Sequence, residues 1–450
     1  MDGAASEADA TLPRAKYVLA VLAACWLMAY LDRAVIALLA TSIKRSLNVT
    51  DVEIGVLQGI AFSVVYIVVA LPVGWLADRA NRRNIILFGI CCWSLATIAC
   101  GLSRTYHELV LARMMMGFGE ACLTPASMAM IADYFARSAR GRAIGVVTGA
   151  ATLGSVLSSL IGGIVLKLCG GAAVVIPLIG LAEPWQITFI ALGAPGFLVA
   201  LLLLTVREPS RRQAPTKAMP VETSAGNFAR VLALRWRLFL PIYLALMFSV
   251  FAGYGGAAWM ATVAIRRYAL SPAYVGLVGG SVGLVMGTFA PVVVGMVSDW
   301  AGARWPRNGR LWTIALLFMA QIPLIAGWAF LPVPFAIFLT LSTLNGVAGA
   351  GLPSTGYILL QELVPNHMRA QAVALFVTIS SFIGMGFGPV VIALVTEHVL
   401  HDEMKIGYAV AAVSLTCVAL GLLATLLAIR AVRSLAAREE VSGSPAGQSV

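Results

Sequence analysis

The chain has 450 residues, 60% of them hydrophobic and 11% charged, with a mean hydropathy of +0.91, a balance that excludes a soluble globular domain. Its net charge of +11 would suit nucleic acid if the basic residues gathered on a soluble face. They lie instead in short connections between apolar runs, so the expected partner is the lipid bilayer, with no nucleic acid.

In chain order, residues 1–16 form a polar N-terminal tail. The stretch Asp2 to Leu12 is acidic and lacks the basic start, apolar run and cleavage site of a signal peptide, so the first span is expected to stay in the mature protein. Six apolar stretches follow near 17–41, 54–76, 84–102, 108–131, 143–168 and 186–206, making an N-terminal six-helix bundle over 17–206. The Arg-rich segment 207–237, with Pro209, Pro215 and Pro220, reads as a cytoplasmic linker. Six more spans, near 238–264, 273–297, 311–331, 334–360, 372–395 and 407–429, make a C-terminal bundle over 238–429, and 430–450 is a C-terminal tail. The fold class is thus all-α and polytopic, with twelve transmembrane helices in two pseudo-symmetric bundles. No shape is assigned to 169–184. With both termini inside, 22 of the 31 Lys and Arg fall on the inner side, seven on the outer side, and Arg33 and Arg113 within spans. That asymmetry is the positive-inside bias.

Four charges sit where a membrane protein least tolerates them. Asp32 and Arg33 are adjacent in span one, and Arg113 and Glu120 are seven residues apart in span four, on nearly one helix face. A charge near the bilayer centre costs roughly 2.5 to 3.5 kcal/mol on lenient scales, so such residues face a cavity or a partner. At 1.5 Å per residue, Asp32 and Arg33 lie about 13 and 12 Å from the outer end of their helix, and Arg113 and Glu120 about 8 and 18 Å from that of theirs. Asp32 and Glu120 are candidate proton-coupling acids; Arg33 and Arg113 are candidate anion-binding bases. Desolvation favours a neutral acid and a nearby arginine favours an ionised one, so a substrate anion that competes for the arginine releases the acid to take up a proton. A fixed ion-pair cluster that only locks the N-terminal bundle is the competing reading.

Other motifs carry less. The seven cysteines show no metal-ligand spacing and read as small apolar residues. His398 and His401 make a short HxxH that reads as a solvated pair, so no metal and no cofactor is expected. Asn48-Val49-Thr50 is a sequon of consequence only in a glycosylated chain. Gly117-Phe118-Gly119 follows no strand and is not a dinucleotide loop. No nucleophile-base constellation appears, and the chain is not expected to be an enzyme. Spans seven to twelve hold no internal Asp, Glu, Lys or Arg; Tyr254, Trp259, Asn345 and Tyr357 are its candidate wall of apolar surface and neutral hydrogen bonds.

The two halves echo one another. Gly74-Trp75-Leu76-Ala77-Asp78-Arg79-Ala80-Asn81-Arg82-Arg83 is matched by Gly295 to Arg304 around Asp299, and Asp133-Tyr134-Phe135 by Glu362-Leu363-Val364. Small residues in spans five and eight, among them Gly154, Gly162, Gly163, Gly276 and Gly280, permit close helix packing. Duplicated halves suit alternating access about a central site.

On these residues the chain resembles the major facilitator superfamily over essentially its whole length. The loop Gly74 to Arg83 looks like the family's GxLaDrxGRr signature, with Asn81 where glycine is usual; asparagine tolerates left-handed geometry, so the turn is expected to survive. The resemblance implies a cytoplasmic gate at Gly74, Asp78, Arg79 and Arg82, with Asp299 and Arg304 as its second-half counterpart. In the family, the aspartate corresponding to Asp78 meets a helix N-terminus on the inner side, where the helix dipole favours a carboxylate. Leu31-Asp32-Arg33, Trp93 to Thr97, Arg113 to Ala121 and Asp133-Tyr134-Phe135 make the first half similar to the spinster-like group and its organic-anion relatives. Animal spinster-like members are associated with lysolipids and sphingolipids. Ser158-Ser159-Leu160-Ile161-Gly162-Gly163 lacks the Gly-Pro that drug antiporters tend to carry in span five.

The resulting expectation is a monomeric secondary transporter in the bacterial inner membrane, both termini cytoplasmic, coupled to protons and moving an organic anion or an amphiphilic, lysolipid-like small molecule. A passive facilitator of the same substrates is the alternative, and a non-transporting ligand sensor a more distant one.

Overall fold

The structure is a computed structural model and describes residues 12–170, 172–176, 180–209, 221–305, 308–365 and 368–441. Its described residues are almost entirely helical. Span one is α1 (Ala15–Leu47) and span two is split at Gly59 into α2 (Asp51–Gln58) and α3 (Ile60–Ala77). Span three is α4 (Arg82–Leu102); span four is split at Cys122 into α5 (Tyr106–Ala121) and α6 (Leu123–Tyr134). Span five is α7 (Arg137–Leu168), and span six is α8 (Pro184–Gly193) with α9 (Pro195–Leu204). After α10 (Val221–Leu234) come α11 (Trp236–Tyr268), α12 (Pro272–Arg304), α13 (Gly309–Phe330) and α14 (Phe335–Glu362). Span eleven joins α15 (Arg369–Ser380) to α16 (Gly388–Leu394) through a π-helical turn at Ser381–Phe387 and ends in a second one at Val395–Val399, and α17 (Ile406–Val441) is span twelve.

Ten of these helical rods are long and apolar enough to cross a membrane by length and composition. The other two expected spans are α5 with α6, whose apolar run is interrupted by Arg113 and Glu120, and α12. The segment without an assigned shape contains a small hairpin: β1 (Val174–Ile176) pairs antiparallel with β2 (Gly180–Ala182), Val174 opposite Ala182.

By packing, the chain divides into two units, one of residues 1–216 with 258–288 and one of 217–257 with 289–450. In the first, glycines let helices touch. A Cβ on Gly154 of α7 would meet the Leu27 carbonyl of α1 at 2.2 Å, and one on Gly117 of α5 would meet the Phe62 carbonyl of α3 at 2.5 Å. A Cβ on Gly119 would likewise meet the Trp93 backbone nitrogen of α4 at 2.6 Å. The Gly-Phe-Gly run therefore brings the backbone of α5 against α3 and α4. In the second unit, a Cβ on Gly384 would meet Val250 at 2.8 Å, which packs the π-helical turn of span eleven on α11.

The signature loop departs from expectation at one residue. Asn81 is extended (φ −71°, ψ 114°) rather than left-handed, and it caps α4 by accepting the Asn84 N–H at 3.0 Å. The turn makes no demand for positive φ; what it uses from asparagine is a side-chain acceptor for a free helix N–H.

Candidate functional site

The four sequence-predicted charges converge inside the first unit, between α1, α4 and α5. Arg33 donates through Nε to Glu120 Oε2 at 3.0 Å and pairs with the same oxygen through Nη2. The breaks at Gly59 and Cys122 flank this region: Glu120 stands in the last turn of α5, and Leu57 in the last turn of α2.

The arginines have different surroundings. Arg113, 1% exposed, donates through Nε to the Leu57 carbonyl at 3.2 Å and through Nη1 to Met116 Sδ at 3.1 Å. It is anchored to backbone and neighbouring helix. Arg33 keeps 16% of its side-chain surface open and is enclosed by aromatic rings, its Cζ 4.5 Å from the Phe62 centroid, 4.7 Å from Tyr30 and 5.5 Å from Tyr66. Rings facing a guanidinium hold the cation without consuming its N–H donors. Arg33 is thus the accessible cation of the cluster.

The acids differ as well. Glu120 accepts from Arg33 through one oxygen, while its Oε1 has no hydrogen-bond partner among the described residues. Asp32 is fully buried, and Thr97 Oγ1 reaches its Oδ2 at 3.3 Å. The same hydroxyl lies 2.9 Å from the Trp93 carbonyl, so its single proton is shared between two acceptors. Asp32 Oδ1 has no hydrogen-bond partner among the described residues. Adjacent backbone is fixed, because Ser158 of α7 donates to the Leu31 carbonyl at 2.7 Å. The site therefore holds one paired acid, one acid held by a divided hydroxyl, one anchored base and one accessible base.

The wall residues do not form one group. Trp259 is fully buried within the first unit. Tyr254, Asn345 and Tyr357 belong to the second, where Tyr254 is 40% exposed, Tyr357 stands edge-on to Phe376 at 5.3 Å, and Asn345 Oδ1 has no hydrogen-bond partner among the described residues.

At the signature loop, Arg82 is buried, pairs with Asp133 at the end of α6 and donates to the Ala77 carbonyl at 3.1 Å. Asp78 and Arg79 are exposed, Arg79 lying 4.1 Å over the Trp75 ring, and the space around Gly74 is open. In the second unit Asp299 pairs with Arg310 at 3.1 Å, and Arg310 also donates to Glu362 at 2.9 Å. Arg304, the expected counterpart, is exposed and makes no such pair among the described residues. The signal that finds Arg310 is the internal duplication: Arg82 precedes its acid by 51 residues and Arg310 precedes Glu362 by 52.

A second ionic centre went unpredicted. Asp51, the first residue of α2 and fully buried, accepts from Lys44 at 2.9 Å on Oδ1 and from Arg266 at 2.7 Å on each oxygen. Thr50 and Glu53 form a capping box that fixes this helix start. All three members of the clamp lie in the first unit. The available signal was Lys44, Arg45, Arg266 and Arg267, four of the seven cations on the side where the charge bias expects few.

Known proteins agree with this architecture. The chain is 27% identical over 389 residues to an MFS-type efflux pump of Mycolicibacterium smegmatis, covering 86% of each protein. It is 28% identical over 386 residues to a probable L-galactonate transporter of Escherichia coli, covering 82% of this chain and 80% of that one. Among solved structures, a bacterial homolog of the human lysosomal transporter spinster, in an inward-facing and occupied conformation, superposes with a TM-score of 0.73 at 25% identity, covering 97% of this chain and all of that one. The profile of the Major Facilitator Superfamily matches residues 22–389, and with its duplicated signature loops and helical rods the chain belongs to that superfamily of membrane transporters.

Proposed function

We propose that the protein is a proton-coupled secondary transporter of organic anions, including amphiphilic or lysolipid-like ones, working by alternating access. The observation that carries this reading is the pairing of an accessible, ring-enclosed Arg33 with Glu120 beside an Asp32 held only by a divided hydroxyl. A substrate carboxylate or phosphate takes the place of Glu120 on the guanidinium, where planar, charge-assisted hydrogen bonds are strong. Asp32 carries the coupled proton, and Arg113 holds the local field constant through the cycle. Glu120 is the resident counter-ion that fills Arg33 between substrates.

One proton carried with a monovalent anion moves no net charge, so one pH unit supplies roughly 1.4 kcal/mol, enough for about tenfold accumulation of that anion. A single coupling acid therefore suffices. The probable L-galactonate transporter among the relatives supports a carboxylate among the candidate cargoes, and the resemblance to the spinster-like group is what suggests an amphiphile. The uncharged spans of the second half suit the apolar part of such a molecule. In this reading both termini and the linker are cytoplasmic, the protein works as a monomer, Asp78, Arg79, Arg82 and Asp299 serve the inner gate, and the Asp51 clamp serves the outer one.

The test is ligand-dependent thermal stabilisation of purified protein at pH 6 and pH 7.5, with lysolipids screened beside aromatic and aliphatic carboxylates. Wild type and Arg33→Ala run together. A class of anions that stabilises wild type alone, and differently at the two pH values, names the cargo. Equal stabilisation of both proteins at both pH values makes the cluster a structural lock and refutes the reading.

A further inference from the structure

The second unit carries, apart from the Arg33 cluster, a groove of about 660 Å³ at the junction of α12, α13 and α17; of the residues expected at the gate it includes Arg304. Its polar end is formed by Arg304, at the last position of α12, by Asn308, which precedes α13, and by Arg433 of α17. Trp312, Leu316 and Met319 continue it along α13, at a spacing that places them on one helix face over about 10 Å. All three are exposed side chains, 36%, 58% and 41% respectively, on a rod long and apolar enough to cross a membrane. Trp305, set edge-on to Trp300 with centroids 5.5 Å apart, stands at the polar end, where membrane-interface tryptophans are enriched.

Charge identifies the occupant. Arg310, six residues from Arg304, is committed to Asp299 and Glu362. Arg304 and Arg433 pair with no carboxylate among the described residues, yet they line the same groove. Two like charges brought together at the edge of an apolar slot are stabilised by an anion between them, and a phosphate accepts from both guanidinium groups. The slot below suits an acyl chain. Asn308 Oδ1, shielded and with no hydrogen-bond partner among the described residues, accepts the hydroxyl of a glycerol headgroup.

We propose that this groove binds an anionic glycerophospholipid from the leaflet on the linker side, its phosphate between Arg304 and Arg433 and one acyl chain along Trp312, Leu316 and Met319. The site is separate from the Arg33 cluster, so the proposal does not depend on what the protein transports. Basic residues near a membrane surface contribute about fivefold each toward an anionic lipid, so two give an expected preference of about thirtyfold.

The experiment is native mass spectrometry of delipidated, full-length protein titrated with dioleoyl phosphatidylglycerol, and separately with dioleoyl phosphatidylcholine. Wild type is expected to retain one phosphatidylglycerol about thirtyfold more tightly than the Arg304→Ala/Arg433→Ala double variant, with phosphatidylcholine alike in both. Arg430→Ala, an exposed cation outside the groove, should behave as wild type, and Arg304→Lys/Arg433→Lys should recover most of the binding, which separates lost charge from a damaged fold. Millimolar glycerol 3-phosphate should not displace the lipid. Equal retention by wild type and the double alanine variant overturns the proposal, as does displacement by glycerol 3-phosphate, which would make the groove a site for free phosphates.

Discussion

Two ionic centres in the first unit are built from the same residue types and differ in how fully their acids are satisfied. In the clamp, one carboxylate receives three contacts from Lys44 and Arg266, and both Asp51 oxygens are occupied. In the cluster, two carboxylates share one direct guanidinium pair and one divided hydroxyl, leaving an oxygen on each without a partner among the described residues. A saturated centre has little reason to exchange partners, because every rearrangement loses a charge-assisted bond. An unsaturated one gains by accepting a proton or releasing an arginine to another anion. Charge burial alone does not separate the two centres; incomplete pairing does, and the proposed transport role rests on it.

Substitutions break or sharpen this contrast. The largest expected effect is Arg33→Ala, which strips Glu120 of the pair described here and costs about 3 kcal/mol, the usual consequence of halving a buried ion pair. The variant also lacks the guanidinium proposed to hold the cargo, and substrate affinity should fall roughly 100-fold, read by titration of the cargo in a thermal-shift assay. Asp51→Asn keeps the shape of the clamp but removes its charge, with an expected loss of about 2 kcal/mol in stability. If the clamp is a gate and not a coupling element, this variant changes transport rate while the accumulation ratio at equilibrium stays at the wild-type value. A changed ratio would place Asp51 in the coupling machinery.

Gly117→Ala sharpens the comparison from the packing side. Its new Cβ would lie 2.5 Å from the Phe62 carbonyl, so α3 must shift and carry Phe62 away from Arg33. Overpacking of this kind costs about 1 to 3 kcal/mol, and the melting temperature should fall with substrate affinity. Phe62→Ala is the smallest change in substrate affinity. Losing one ring face of Arg33 costs about 1 kcal/mol of binding, visible as a roughly fivefold weaker substrate response with the clamp intact. The cavity left by this fully buried ring, which also faces Arg113 at 5.7 Å, costs about 3 to 5 kcal/mol in stability.

Much of this was legible in the amino-acid sequence, for physical reasons. Hydropathy locates membrane rods because lipid demands unbroken apolar length, and charges inside such rods stand out because burying them is costly. Asp32, Arg33, Arg113 and Glu120 were visible on that ground alone, and the structure gathers them. Their inequality was not legible. Which arginine is open depends on Phe62, Tyr30 and Tyr66, ordinary apolar residues until the folded chain sets them around one guanidinium. The clamp was missed because Asp51 sits at a helix start, where an acid is unremarkable until Arg266 arrives from 215 residues away. Arg304 stands out in the sequence because it ends the loop echo; the second echo, Asp133 with Glu362, is visible too, but the arginine that pairs with Glu362, Arg310, lies six residues beyond the loop match.

Proton-driven accumulation in proteoliposomes, wild type against Asp32→Asn, tests the central claim most directly. With an imposed pH gradient and membrane potential, wild type should concentrate the cargo, while Asp32→Asn should lose accumulation and retain exchange of labelled for unlabelled substrate. Wild-type accumulation by Asp32→Asn, with its pH dependence intact, would contradict the account and return the cluster to a structural role.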